Sequence, residues 1–253
     1  MKKITLFLVF TGLLLASCKK EATIKSTPNS EKKIQSIDFS NSSGTAYSSL
    51  YSYDNTGKLK EIRYKSETET FTYNSPFSFS VKRVLHADPS IYTNDLYTLN
   101  NKGTVEKIET IYPNGSTFSI TSFIYNADNI LQVIETEYPM QNKIYRFEYS
   151  ITNKIKTSQS FYINAVLQSR EEYSYDMSRM MKGMGQLDRN IYFPGLYGAD
   201  QQFPLSGIKF FDAAGNLVEN RSYISVLDKN GYIISYTGND LFSKSTFTYQ
   251  INY

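Results

Sequence analysis

The 253-residue chain has one cysteine, one histidine and no tryptophan, and each shortage removes a class of function. A lone Cys18 has no partner for a disulfide and leaves no thiol in the region that follows it for redox chemistry. With one histidine, the usual Cys and His sets for zinc or copper are not available. A Ser-His-Asp triad would have to run through His86. That residue stands in Val84-Leu-His-Ala-Asp-Pro-Ser90, which reads as a strand end passing into a loop, so a loop or surface histidine is the simpler account. The glycines come singly inside turns, and no phosphate-binding glycine loop is present. Charge of one sign is also missing. The formal charge is +3, and the loss of Lys2 and Lys3 with a cleaved signal would leave +1, which is no footprint for nucleic acid.

What the chain has in quantity is 22 tyrosines and 16 phenylalanines among many serines and threonines, a composition that favours strands. One frame organises it: Tyr53-Asp54-x-x-Gly57-x-Leu59-x-x-Ile62. It returns as Leu99-Asn100-x-x-Gly103-x-Val105-x-x-Ile108, as Tyr125-Asn126-x-x-Asn129-x-Leu131-x-x-Ile134 and as Phe211-Asp212-x-x-Gly215-x-Leu217. Weaker copies are Tyr149-Ser150-x-x-Asn153-x-Ile155 and Leu227-Asp228-x-x-Gly231-x-Ile233. An Asp, Asn or Ser at the first turn position accepts a backbone N–H two residues on, and Gly or Asn three residues later accepts a positive φ. The frame therefore predicts β-hairpins whose loops are a type I turn followed by a left-handed residue. Asp54 and its equivalents are turn formers rather than calcium ligands, because a calcium loop needs several more oxygens at fixed positions.

Segments such as Phe71-Thr-Tyr73, Phe77-Ser-Phe79-Ser-Val81 and Ser245-Thr-Phe247-Thr-Tyr249-Gln-Ile251-Asn-Tyr253 alternate apolar and polar residues as half-buried strands do. Tight turns between consecutive strands make them antiparallel neighbours. The expectation is one all-β domain over 34–253, an antiparallel meander of roughly a dozen or more strands. So large a sheet must curl or close into a barrel-like form. One stretch, about 177–205, breaks the rhythm with Met177, Met180, Met181 and Met184 among glycines and prolines. It is expected to form a short helix followed by an irregular loop, lying over one end or face of the sheet. The four methionines either pack that segment down or make an adaptable apolar lid, the first place to look for a ligand.

Met1 to Ser17 has a basic start, an apolar run from Ile4 to Ala16 and small residues before Cys18, the pattern of a secretory signal. Leu15-Ala16-Ser17-Cys18 resembles the lipobox of bacterial lipoproteins, which implies that Cys18 is acylated and becomes the first mature residue. Lys19-Lys20-Glu21 lacks the Asp that retains such proteins in the inner membrane, and it resembles in part the surface-export signal of Bacteroidetes lipoproteins. Residues 18–33 are polar and read as a flexible tether. The Tyr-Asp-x-x-Gly-x-Leu frame resembles the YD repeat of Rhs-type shells. Combined with the lipoprotein signal, it is similar to Bacteroidetes lipoproteins of unknown function described as having a porin-like fold. That resemblance, over roughly Ile34 to Tyr253, implies a curved or barrel-like antiparallel sheet and no assigned activity.

The remaining chemistry is in carboxylates such as Glu67 and Glu69, or Glu171 and Glu172, and a glycosidase needs only two. Three functions follow. The leading one is a lipid-anchored, non-enzymatic envelope protein without cofactor or metal, binding an envelope protein, glycan or apolar molecule, or serving as a scaffold. An integral outer-membrane β-barrel and a carboxylate-dependent hydrolase are the alternatives. Charged segments such as Lys58-Leu-Lys-Glu-Ile-Arg-Tyr64 weigh against the barrel in the membrane, because a lipid-facing band has to be apolar.

Overall fold

A computed structural model describes residues 32–182, 196–199 and 202–253. Cys18, the signal, most of the tether and Met184 lie outside the described residues. The first eight strands are β1 (Ser36–Asn41), β2 (Ala46–Tyr53), β3 (Leu59–Arg63), β4 (Glu67–Ser75), β5 (Ser78–Leu85), β6 (Tyr92–Leu99), β7 (Val105–Ile111) and β8 (Thr117–Tyr125). The second eight are β9 (Leu131–Tyr138), β10 (Lys143–Thr152), β11 (Ile155–Ile163), β12 (Val166–Tyr175), β13 (Leu205–Asp212), β14 (Leu217–Leu227), β15 (Ile233–Asp240) and β16 (Thr246–Asn252). Each strand pairs antiparallel with the next, and β1 pairs with β16 to close the barrel. Among the described residues the only helical turn is a 3-10 turn at Pro139–Gln141. The described parts of the 177–205 stretch contain no helix.

Every strand reverses the chain, so connections after even-numbered strands share one rim with the start of β1 and the end of β16. Five copies of the turn frame sit on that rim, and the Asp212 copy sits on the opposite, far rim. At the six frame positions φ is positive: 86° at Gly57, 77° at Gly103, 61° at Asn129, 51° at Asn153, 86° at Gly215 and 89° at Gly231. The Asp54 carboxylate accepts the backbone N–H groups of Thr56 at 2.8 Å and Lys58 at 2.9 Å. Asp212 does the same for Ala214 at 3.0 Å and Asn216 at 2.8 Å. Register shifts beside these loops, as at Ser52/Tyr53 and Phe210/Phe211, mark the bulge that accompanies a left-handed third residue. Asn153 differs from the other copies. It forms a tighter turn with Lys154, whose φ is 65°, the two-residue hairpin with both central residues left-handed.

Strand-end tyrosines and the frame's aliphatic positions also meet along the rim. Tyr73 donates its hydroxyl to the Leu59 carbonyl at 3.0 Å, Tyr125 to Val105 at 2.6 Å and Tyr253 to Ile233 at 3.0 Å. Tyr53 donates likewise to Ile34 at 2.9 Å. Each acceptor lies at the start of the preceding strand or, for Ile34, just ahead of β1. A tyrosine at a strand end thus fastens its hairpin to its neighbour and satisfies a rim carbonyl. The same rim holds the start of the described chain. Lys32 pairs with Asp228 at 2.5 Å, so residues 32 and 33, expected in the tether, belong to the barrel.

Period-two alternation decides what faces in. Inward rows carry Phe71 and Tyr73 on β4, Phe79 and Val81 on β5, Phe123 and Tyr125 on β8 and Tyr249 and Ile251 on β16, all in or against the core. The intervening outward positions are Thr70 and Thr72, Ser80 and Lys82, Ser122, and Thr248 and Gln250. Lys107 and Glu109 on β7, Arg146 and Glu148 on β10 and Arg170 and Glu172 on β12 also lie outside, each pair bridged along its own strand.

A Cβ built on Gly215 meets nothing within 4 Å, so a substitution there tests backbone preference alone. Gly215→Val is expected to destabilise by about 1–2 kcal/mol relative to Gly215→Asn. Chemical denaturation of the two variants measures it, and equal midpoints would show that the left-handed turn position carries no stability.

Candidate functional site

The inside of the barrel is unequal along its axis. At the rim of the frame turns the inward chains Ile34, Leu59, Val105, Leu131 and Ile233 are buried. Part of the 177–204 stretch covers this mouth. Met181 and Leu196 are buried in the same core, and the stretches that carry them attach to opposite sides of the ring. On one side the Lys182 N–H donates to the Gly231 carbonyl at 2.9 Å. On the other, the Val105 N–H donates to the Leu196 carbonyl at 2.7 Å, and the Ala199 N–H to the Asn129 carbonyl at 2.7 Å. Gly198 forms a β-bridge with Ile130, and the Tyr197 ring lies 5.3 Å from that of Phe123. Of the methionines expected as a lid, Met181 enters the core, whereas Met177 and Met180 are exposed.

Toward the far rim the inward side chains become accessible. Tyr47 is 39% exposed, and Phe39 stacks on it at 4.7 Å. Inward aromatics of β10 and β11 are only half-buried, with Phe147 and Phe161 stacked at 4.7 Å. Two charged clusters interrupt this aromatic wall. In the first, Arg83 binds one oxygen of Glu69 through Nη2 at 2.8 Å and Nε at 3.0 Å. Glu67 lies 3.8 Å away and Asp95 3.6 Å away. Burial opposes the Arg83 charge, but the Glu69, Asp95 and Glu67 carboxylates more than offset it, so its pKa stands above the ordinary guanidinium value. Beside the cluster Tyr97 stacks on Phe79 at 4.3 Å. Burial first, then Tyr197 and Asp95, push its phenol well above the usual range.

In the second cluster Arg221 pairs with Glu219 and lies over the Phe210 ring at 4.9 Å, while Tyr173 donates to Glu171 at 2.8 Å.

The carboxylates named from sequence are thereby separated. Glu67 and Glu69 share an inward row, two residues apart. Glu171 faces in, but Glu172 faces out and pairs with Arg170 at 2.7 Å. His86 is exposed on a far-rim loop, its Nε2 2.8 Å from the Thr68 hydroxyl and its Nδ1 3.2 Å from the Lys65 carbonyl, so among the described residues no Asp or Ser joins it in a triad. No set of three or more His, Cys, Asp or Glu side chains arranged to hold a metal occurs among the described residues. Sequence reading missed Arg83 and Asp95. The signal was there in the alternation, since Phe79-x-Val81-x-Arg83 and Asp95-x-Tyr97 put both charges in the inward rows.

No protein-family model and no curated protein matches the sequence. Among solved structures the fold is similar to a porin-like protein from Bacteroides uniformis, with a TM-score of 0.62 and 15% identity over 87% of this chain and 98% of that one. It is also similar to a porin-like protein from Bacteroides vulgatus, with a TM-score of 0.63 and 10% identity over 88% of this chain and 99% of that one. Identities this low show likeness of fold alone, and the barrel-like sheet expected from sequence is the fold they share.

The covered mouth gives a specific expectation. A Cβ on Gly198 would lie 2.3 Å from the Asn129 carbonyl oxygen and 3.0 Å from the Tyr125 ring, and its φ of 93° already excludes most side chains. Gly198→Val should lift this stretch from the rim, speeding amide exchange at Val105 and Ala199 while leaving exchange in β14 to β16 unchanged. Unchanged protection at Val105 would show that the contact does not hold the segment.

Proposed function

We propose that this protein is a non-enzymatic, lipid-anchored component of the outer cell envelope, its barrel standing in water beside the membrane and its lumen holding a ligand. The observation that carries this reading is the direction of the side-chain alternation. Outward rows mix threonine, serine and charges, several of them bridged, with exposed aliphatic residues such as Leu50, Ile124, Ile224 and Val226, whereas the packed aromatic and aliphatic residues lie on inward rows. A barrel that crosses a bilayer needs the reverse, an apolar band about 25 Å tall facing lipid. Charges such as Lys82, Lys107 and Arg170 at outward positions would each be destabilising at the bilayer midplane by roughly 2–4 kcal/mol. Attachment then falls to acylated Cys18, where each buried CH₂ contributes about 0.8 kcal/mol and several chains suffice for stable anchoring.

A binding role is favoured over hydrolysis by the way the lumen carboxylates are held. Glu69 accepts two N–H groups of Arg83, so that oxygen is engaged in a charge-assisted pair within the wall rather than free to act on a substrate. The partner classes that suit an aromatic-lined lumen are a glycan, an apolar molecule or a segment of another envelope protein.

Cleavage at a protease site inserted after Ala22 should release the folded barrel from washed membranes into the aqueous phase, and Cys18→Ala should yield either an unprocessed precursor or soluble protein. A cleaved barrel that stays with the membrane through sodium-carbonate extraction would instead identify an integral barrel.

A further inference from the structure

The Arg83 cluster has more acceptors than the chain satisfies. Three carboxylates, from Glu67, Glu69 and Asp95, surround one guanidinium. Asp95 is 6% exposed, yet its Oδ1 has no hydrogen-bond partner, and neither has the buried Thr93 Oγ1 two residues along the same inward row. A buried carboxylate oxygen without a donor is costly.

We propose that this corner of the lumen is a binding subsite for the ammonium group of a small organic amine. The inference deepens the binding role proposed above and rests on it. An ammonium offers three N–H donors and no acceptor, which matches a site that leaves a carboxylate oxygen and a hydroxyl oxygen free to accept and whose charge is negative in surplus. Asp95 Oδ1 and Thr93 Oγ1 take two of the donors, and the carboxylates around Arg83 supply the remaining attraction. A divalent metal fits less well, because no set of three or more His, Cys, Asp or Glu side chains among the described residues is arranged to hold one. Side-chain exposure falls from 38% at Arg83 and 28% at Glu67 to 11% at Glu69 and 8% at Asp95, so the amine enters past Arg83 and Glu67. The apolar wall for its carbon body is Val81, opposite Asp95 in the register, with the stacked Tyr97 and Phe79 beyond.

The test is titration of the purified full chain with n-butylammonium chloride, followed by thermal unfolding and calorimetry. Controls are n-butanol, which has the same shape without the charge, sodium chloride at equal ionic strength, and calcium chloride. A saturable rise in Tm is expected with the amine alone. Asp95→Asn should weaken binding about tenfold and Thr93→Val about threefold. If Asp95→Asn does not fold, Thr93→Val still decides, since it removes an acceptor without removing a charge. Equal responses to amine and sodium chloride, saturation undiminished in both variants, or tighter binding of calcium would each overturn the proposal. Failure of the barrel to leave the membrane after tether cleavage would refute the peripheral reading and leave this titration standing as a separate result.

Discussion

The pairing of β1 with β16 is the constraint on which the rest depends. Six residue pairs, from Ser36 opposite Asn252 to Asn41 opposite Phe247, join the two ends of the chain and remove the last pair of free edges. An open sheet of sixteen strands would expose a row of unpaired N–H and C=O groups on each side and invite association. Closure also creates an inside, and from that point every choice of residue at alternating positions has a consequence. The rim tyrosines serve the same end, since each fastens a hairpin to the one before it and gives a carbonyl at the mouth a donor it would otherwise take from water.

In wide barrels of this kind the interior is a channel unless something occupies it. Here one mouth is filled by the aliphatic positions of the turn frame together with Met181 and Leu196, and the other end remains accessible, with aromatic stacks and two charged clusters on its wall. Among the described residues the barrel thus has an apolar, buried end and a more exposed polar and aromatic end.

The local parts of this arrangement were legible in the sequence because they are encoded locally. Asp54 and Gly57, or Asp212 and Gly215, define their own turn within four residues, and the strands follow from the alternation between turns. Lumen chemistry was not legible in the same way. Arg83 meets Glu69 because β4 and β5 are neighbours, and it meets Asp95 because β6 lies on its other side, with Val81 opposite Asp95. Carboxylates adjacent in sequence, Glu171 and Glu172, point to opposite faces, whereas the two that share the cluster, Glu67 and Glu69, are spaced by two. The methionines carried the same ambiguity. Met180 and Met181 are neighbours in sequence, yet one is 65% exposed and the other 8%, a difference set by where the segment crosses the rim.

The central claim is that the outer wall of the barrel faces water. Because Cys18 is the only native cysteine and the proposed acylation would consume its thiol, a cysteine introduced elsewhere reports its own surroundings. Thr70→Cys, Ser80→Cys and Thr248→Cys place single thiols on outward rows around the ring. With the protein held on intact membranes, each should react with a membrane-impermeant maleimide as fast as it does after the barrel is released. Thiols that are protected on the membrane and become reactive only after extraction would place those rows against lipid and contradict the account.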